Sequence, residues 1–526
     1  MGWLILLIIA WGALAFGSVY DWARWPLLIA CVVAGAWGFV RTVRRERRRV
    51  ITPVLAGLLL VAVAVGFQLV PLDWHTLRAW SPATHTFLRQ YDLQYAMAAA
   101  GDASDGGRGF SPDVAAGPEG PASAGNDDRE AEAPRLRHPL SVDPPKTWLG
   151  LGLLAGFGFM LLGLARGIGG RDLRVFAPGI VTLGVLMAMI GIIQKALWNG
   201  KVYGFWEPIN AGTIAFGPFI NRNHFAGWML LALPVAVGYF ASLVAKGMVG
   251  VKPGWRNRII WFSTPDASRA VLTGFGILVM GLALTLTLSR SGIACFLVAM
   301  LASGFNVLRR QATAMKGRLL STYLAMVFVA AIAWVGIDAI GARFAQVDWK
   351  LGGRAGAWED AWRIHQSFPW FGTGLNTYGS ATLLLQRFEK ATTHYVEAHN
   401  DYLQLLVEGG WLVAVPALVL IALFARQVHR RFREGLDDRT GYWVRLGAVT
   451  GIVAIAFQEI VEFSLQMPGN AALFTILCAI AVRGASVKAR SDPRPQGGRG
   501  EARVFPPTNS SASTGAVGRS GDARTH

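Results

Sequence analysis

Along the 526 residues, apolar runs recur at about twelve places, most of them ~18 to 22 residues long. That is the length a helix rising 1.5 Å per residue needs to cross ~30 Å of hydrocarbon. Backbone amides there have no water to bond, so runs of this kind fold as helices that satisfy their own hydrogen bonds. The runs lie near 2–19, 25–40, 51–71, 147–165, 175–197, 225–245, 270–288, 291–308, 319–339, 411–425, 443–462 and 470–482. Composition agrees: 53% of residues are hydrophobic and 16% charged, with mean hydropathy +0.39, too little charge to cover soluble domains. The expected fold is all-α, a polytopic integral membrane protein.

Net charge is +18, and its meaning depends on which loops carry it. Six arginines stand in 41–49, three in 166–174 and six in 426–445. Five Lys and Arg stand in 246–269, and four in 309–318. All five segments fall on one side with both termini, which places that side in the cytoplasm. The opposite side receives loops 72–146, 198–224 and 340–410, the last between spans nine and ten. No basic run is interleaved with aromatics in a soluble domain, so nucleic acid is excluded as a partner. Cys31, Cys295 and Cys478 lie in apolar runs and imply neither disulfide nor metal site. The N-terminus lacks a basic stretch followed by a cleavage site, so residues 1–71 read as three retained spans.

Residues 72–97, with Trp74, Trp80, Phe87, Tyr91 and Tyr95, read as a segment lying on the membrane surface. Residues 98–146 hold one aromatic, seven prolines and nine acidic against five basic residues, and read as a disordered insert. The basic stretch 483–526 reads as a disordered cytoplasmic tail, and 147–482 as the main transmembrane domain.

Candidate site residues gather on the extracytoplasmic side. FGPFINRNHFAGW puts Arg222 between Asn221 and Asn223, with His224 next, at the start of a span. Arg222 either snorkels to lipid phosphate or serves a site on a side otherwise poor in positive charge. TLTLSRSGIACF sets Arg290 in a tight turn between two spans. It either snorkels there, with Gly292 aiding helix packing, or forks to an anion inside the bundle. In the long loop, residues 355–367 read as an amphipathic helix, ended by Pro369 and a turn at Gly372 and Gly374. The phrase EAHNDY brings Glu397, Asn400 and Asp401 beside His399, where the carboxylates would set its tautomer and raise its basicity as a general base. His394 and His365 are its competitors. Glu459 and Glu462 share a face near the end of span eleven, as functional carboxylates or partners of a buried arginine.

At these residues the chain resembles the O-antigen ligase family, which also takes in O-antigen polymerases, protein O-oligosaccharyltransferases and proteins labelled bicarbonate transporters. NRNHFAG, LSRSG and the spacing His399, Asn400, nine residues, Gly410 carry the resemblance over roughly spans five to twelve. The family pattern continues to a Gly, Thr or Tyr where this chain has Val413. The resemblance implies a GT-C-like membrane glycosyltransferase of the bacterial inner membrane. It would move a glycan from an undecaprenyl-pyrophosphate donor to a lipid, glycan or protein acceptor, inverting the anomeric carbon with no cofactor, metal or nucleotide sugar. Arg222, Arg290 and Arg354 would bind the pyrophosphate and His399 would activate the acceptor hydroxyl, with Asn221, Asn223, His224, Glu397, Asn400 and Asp401 in support. The competing function is transport of bicarbonate or another small anion, but no internal repeat with broken helices at mid-membrane is present.

Overall fold

The computed structural model describes residues 1–43, 52–105, 137–208, 214–249, 254, 256, 263, 265–310, 354–387, 394–435 and 438–484. The ninth expected span (319–339), most of the basic loop 41–49, residues 106–136 of the expected insert, the loop stretch 340–353 and nearly all of the tail lie outside the described residues.

Among the described residues, seven helices are long and apolar enough to cross a membrane. They are α2 (Asp21–Val43), α7 (Pro144–Gly167), α8 (Gly170–Ala196), α9 (Arg222–Gly247), α10 (Pro265–Leu286), α14 (Asp401–Glu434) and α15 (Arg439–Gln458). Shorter apolar stretches are α1 (Gly2–Leu14), α3 (Thr52–Phe67), Arg290–Gly304 of α11 (Arg290–Arg310) and α16 (Pro468–Val482). The protein is a helical, multi-pass membrane protein. Among the described residues, the β-structure in strands is one two-residue ladder, β1 (Leu72–Asp73) against β2 (Arg137–His138).

The bundle is organised around α9. Its apolar window is 72% buried, against 33% for α2 and α14, so it packs on protein where they face lipid. Helix α15 lies against it through Gly447 and Gly451. A Cβ at Gly447 would stand 2.4 Å from the Pro234 carbonyl, so only glycine allows the two backbones this approach.

Helices α4 (Trp74–Trp80), α5 (Pro82–Tyr91) and α6 (Leu93–Asp105) form a compact layer with α12 (Arg354–Ser367) and α13 (Tyr378–Leu385). Leu77, Phe87, Leu88 and Tyr95 share a core with Ile364, Phe368, Tyr378 and Val407. Phe87 and Tyr95 therefore face inward onto the long loop, which supplies a second apolar surface, while Trp80 and Tyr91 stay exposed. The segment 98–146 is also more ordered at its edges than its composition implies. Its start continues α6, its end pairs as β2 and enters α7, and the Val142 amide donates to the Thr373 carbonyl at 2.8 Å.

Candidate functional site

Three helices begin close together: Arg222 and Arg290 are the first residues of α9 and α11, and Asn400 caps α14; Arg354 is the first described residue of α12. Local sequence explains the three starts. The Asn221 Oδ1 accepts the Asn223 amide at 2.9 Å, the Asn400 Oδ1 accepts the Leu403 amide at 3.0 Å, and the Ser289 Oγ accepts the Gly292 amide at 3.3 Å. Gly292 lies so close to Ala226 that an added Cβ would stand 2.7 Å from that side chain. The first turns of α9 and α11, with Arg222 and Arg290, are thereby neighbours.

The loop 459–467 after α15 ties these starts together. Helix α15 ends at Gln458, so Glu459 caps it and Glu462 lies in the loop, not on a shared helical face. Glu462 is almost fully buried; it pairs with Arg354 and accepts the Asn223 Nδ2 at 2.7 Å. Burial raises its pKa, and Arg354 opposes that rise. The Gln458 Nε2 and Ser464 Oγ both donate to the Asn223 carbonyl, at 3.2 and 3.3 Å. Phe463 stands between two histidine rings, edge-on to His399 at 4.8 Å and to His224 at 4.7 Å.

His399 sits in the left-handed backbone region, φ 52°, uncommon for a residue with a side chain. The turn brings its ring against Phe463 and leaves Nδ1 buried with no hydrogen-bond partner among the described residues. Burial, with Arg354 nearby, pushes its pKa down to about 4. The expectation that Glu397 and Asp401 raise its basicity is therefore corrected. The Gln404 Nε2 donates to Glu397 at 2.7 Å and the Gln466 Nε2 to Asp401 at 2.7 Å, so neighbours in sequence turn to other partners. Burial pushes Glu397 up to about 8.

The competing histidines are engaged elsewhere. The His365 ring nitrogen meets the Leu406 carbonyl at 3.2 Å inside the packed layer. The His394 Nε2 lies 3.0 Å from the Gly379 carbonyl and 3.2 Å from the Thr382 hydroxyl. His394 also lines a cavity of about 650 Å³ between α5 and α13. Among the described residues no group of three or more His, Cys, Asp or Glu is placed to hold a metal ion.

Sequence reasoning passed over Gln404 and Glu408, which prove central. Glu408 is buried and accepts the amides of Asn376 at 2.7 Å and Tyr378 at 3.0 Å, fastening the long loop to α14. Asp401, Gln404 and Glu408 recur at helical spacing in an otherwise apolar helix, and that polar stripe was the available signal. Gly410 completes the phrase. Its φ of 54° and ψ of −164° interrupt α14, and the amides of Trp411 and Leu412 donate to Pro369 and Trp370 at 2.9 Å each. The spacing from His399 to Gly410 is thus the length of helix between the site and the point where the long loop crosses.

Residues 275–418 match the family described as O-antigen ligase. That stretch of the chain is similar to the O-antigen ligase family. It takes in Arg290, Arg354, His399 and Gly410, while Arg222, Glu459 and Glu462 come from the flanking chain. The match supports glycan transfer of the ligase or polymerase kind, with lipid-linked glycan and acceptor as the class of substrates. No curated protein matches the chain.

Proposed function

We propose that this protein is a GT-C-like glycosyltransferase of the bacterial inner membrane, with both termini cytoplasmic. It transfers a glycan from an undecaprenyl-pyrophosphate carrier to an acceptor hydroxyl on the extracytoplasmic face. The observation that carries this reading is the pairing of Arg354 with Glu462 on the loop whose Phe463 packs against His399, with Arg222 and Arg290 opening the neighbouring helices α9 and α11. Helix N-termini carry partial positive charge, and arginine adds a permanent one that forks to phosphate oxygens. Both favour the charge that develops on a departing pyrophosphate.

In this reaction the acceptor oxygen attacks the anomeric carbon, the bond from that carbon to pyrophosphate breaks, and configuration inverts. The acceptor proton passes to His399, and the lipid pyrophosphate leaves with the electron pair, held by Arg222, Arg290 and Arg354. His399 is neutral at physiological pH because of its burial and Arg354, so it is ready to accept a proton. Bound pyrophosphate offsets the Arg354 charge and so raises the basicity of His399 when the acceptor arrives.

The test is transfer by purified protein in lipid, with a synthetic lipid-linked donor. Arg290→Lys and Arg222→Lys keep charge but lose the fork, so each should lower kcat at least tenfold, and Arg290→Ala further. If both lysine variants turn over at the parental rate, fork-like contact with pyrophosphate is excluded. Donor-independent flux of bicarbonate through proteoliposomes, blocked by the same variants, would favour an anion transporter instead.

A further inference from the structure

Asp401 opens α14 and Glu459 caps the end of α15, and their buried carboxyl groups face each other. Their backbones are joined too, the Asp401 amide donating to the Glu459 carbonyl at 3.0 Å. Glu459 is 2% exposed, and among the described residues neither of its oxygens receives an ordinary hydrogen bond. Other titratable or charged groups facing it are Tyr402 on α14, Cys295 on α11, and Glu462 on its own loop, with Arg354 of α12 already paired to Glu462. Two carboxylates cannot hydrogen-bond without a proton between them, and two adjacent buried charges would repel strongly.

We infer that Asp401 and Glu459 share one proton, and that this bridge latches the His399 segment to the 459–467 loop. The latch stands directly between the parts it would align. Asp401 follows Asn400 and His399 in sequence, and Glu459 precedes Glu462 and Phe463. Gln466 completes it from the side, donating to Asp401 at 2.7 Å and accepting from Gln404 at 3.3 Å. With the proton gone, two negative charges face each other, and the segments separate. His399 then loses Phe463, and Arg354 loses its fixed partner. Glu459 is thus a positioning residue, acting on the site through Asp401.

The structural part is independent of any glycan assay; only its effect on turnover rests on the proposed function. Burial and Asp401 hold the Glu459 pKa well above the usual carboxylate range. A folded pKa raised above the unfolded one gives stability that is present at low pH and lost as pH rises through the folded value. The thermal midpoint of the full-length parent in lipid nanodiscs should therefore fall as pH is raised from the ordinary carboxylate range toward that folded value. In Glu459→Gln the amide donates to the Asp401 carboxylate at every pH, so that fall should be much reduced. Asp401→Asn, donating the other way, should behave likewise and serves if the first variant does not fold. The infrared difference spectrum of the parent against Glu459→Gln should show one protonated-carboxyl band lost in the variant, beyond the bands of other raised carboxyls such as Glu397. An unchanged fall with rising pH in both variants, or no lost band, would overturn the shared proton. In transfer assays the alkaline limb of kcat should move upward in Glu459→Gln, leaving it roughly tenfold ahead one pH unit past the parental limb. A stability limb that moves while the kcat limb stays would overturn the positioning role and leave only a structural bridge.

Discussion

At the scale of residues, the chemistry turns on a histidine whose surroundings oppose protonation. With its pKa pushed down to about 4, His399 binds fewer protons when folded than unfolded as pH drops below the ordinary histidine value. Its contribution to stability is therefore present above that value and lost as pH falls through it. The same sign governs turnover. The acid limb of kcat/KM, which reports the free protein, should lie near the low value, while the limb of kcat should lie higher, because bound pyrophosphate compensates Arg354. Coincident acid limbs would remove this coupling. His399→Ala should lose ~10² to 10⁴-fold in transfer, the usual size of a general-base effect. His394→Ala should retain substantial activity, since its ring meets a backbone carbonyl and a threonine hydroxyl. Donor binding by His399→Ala, measured without acceptor, should stay close to parental because it rests on the arginines.

At the scale of elements, Gly410 decides whether the long loop and α14 can occupy the same space. A Cβ there would stand 2.5 Å from the Trp370 carbonyl, at backbone angles that essentially only glycine adopts. Gly410→Ala should cost about 1 to 3 kcal/mol from conformation alone, with the overlap added. Gly281→Ala, in a helix with nothing within 4 Å, should be neutral or mildly stabilising. Thermal midpoints of the two variants check the contrast. This element also shows what could be read beforehand. The span after Trp411, the helix over 355–367 and the glycine turn after Pro369 follow from run length, amphipathic spacing and chain breakers. The pairing of Arg354 with Glu462, 108 positions apart, follows from none of these, because local pattern carries no record of which distant loop arrives. The same blindness turned Phe87 and Tyr95 toward lipid. Their apolar face was legible, but the α12 and α13 surface that covers it was not.

At the scale of the molecule, the arrangement works only if the converging helix starts lie on the face where lipid-linked glycan is presented. The packed layer of α4, α5, α6, α12 and α13 sits on that same face, since Arg354 of α12 pairs with Glu462. The opposite ends of α14 and α15 carry arginines, including Arg430, Arg431, Arg433 and Arg439, as the positive-inside bias requires of cytoplasmic ends. Single cysteines in a background where Cys31, Cys295 and Cys478 are replaced should then divide cleanly. Leu93→Cys, at a position 75% exposed in the layer, should react in intact spheroplasts with a reagent that cannot cross the membrane. Arg433→Cys, exposed at the far end of α14, should react only after permeabilisation. The reverse pattern would put the arginines and His399 in the cytoplasm and end the proposal of extracytoplasmic transfer. Labelling of both sites in intact spheroplasts would do the same to the assignment of α14 as a span.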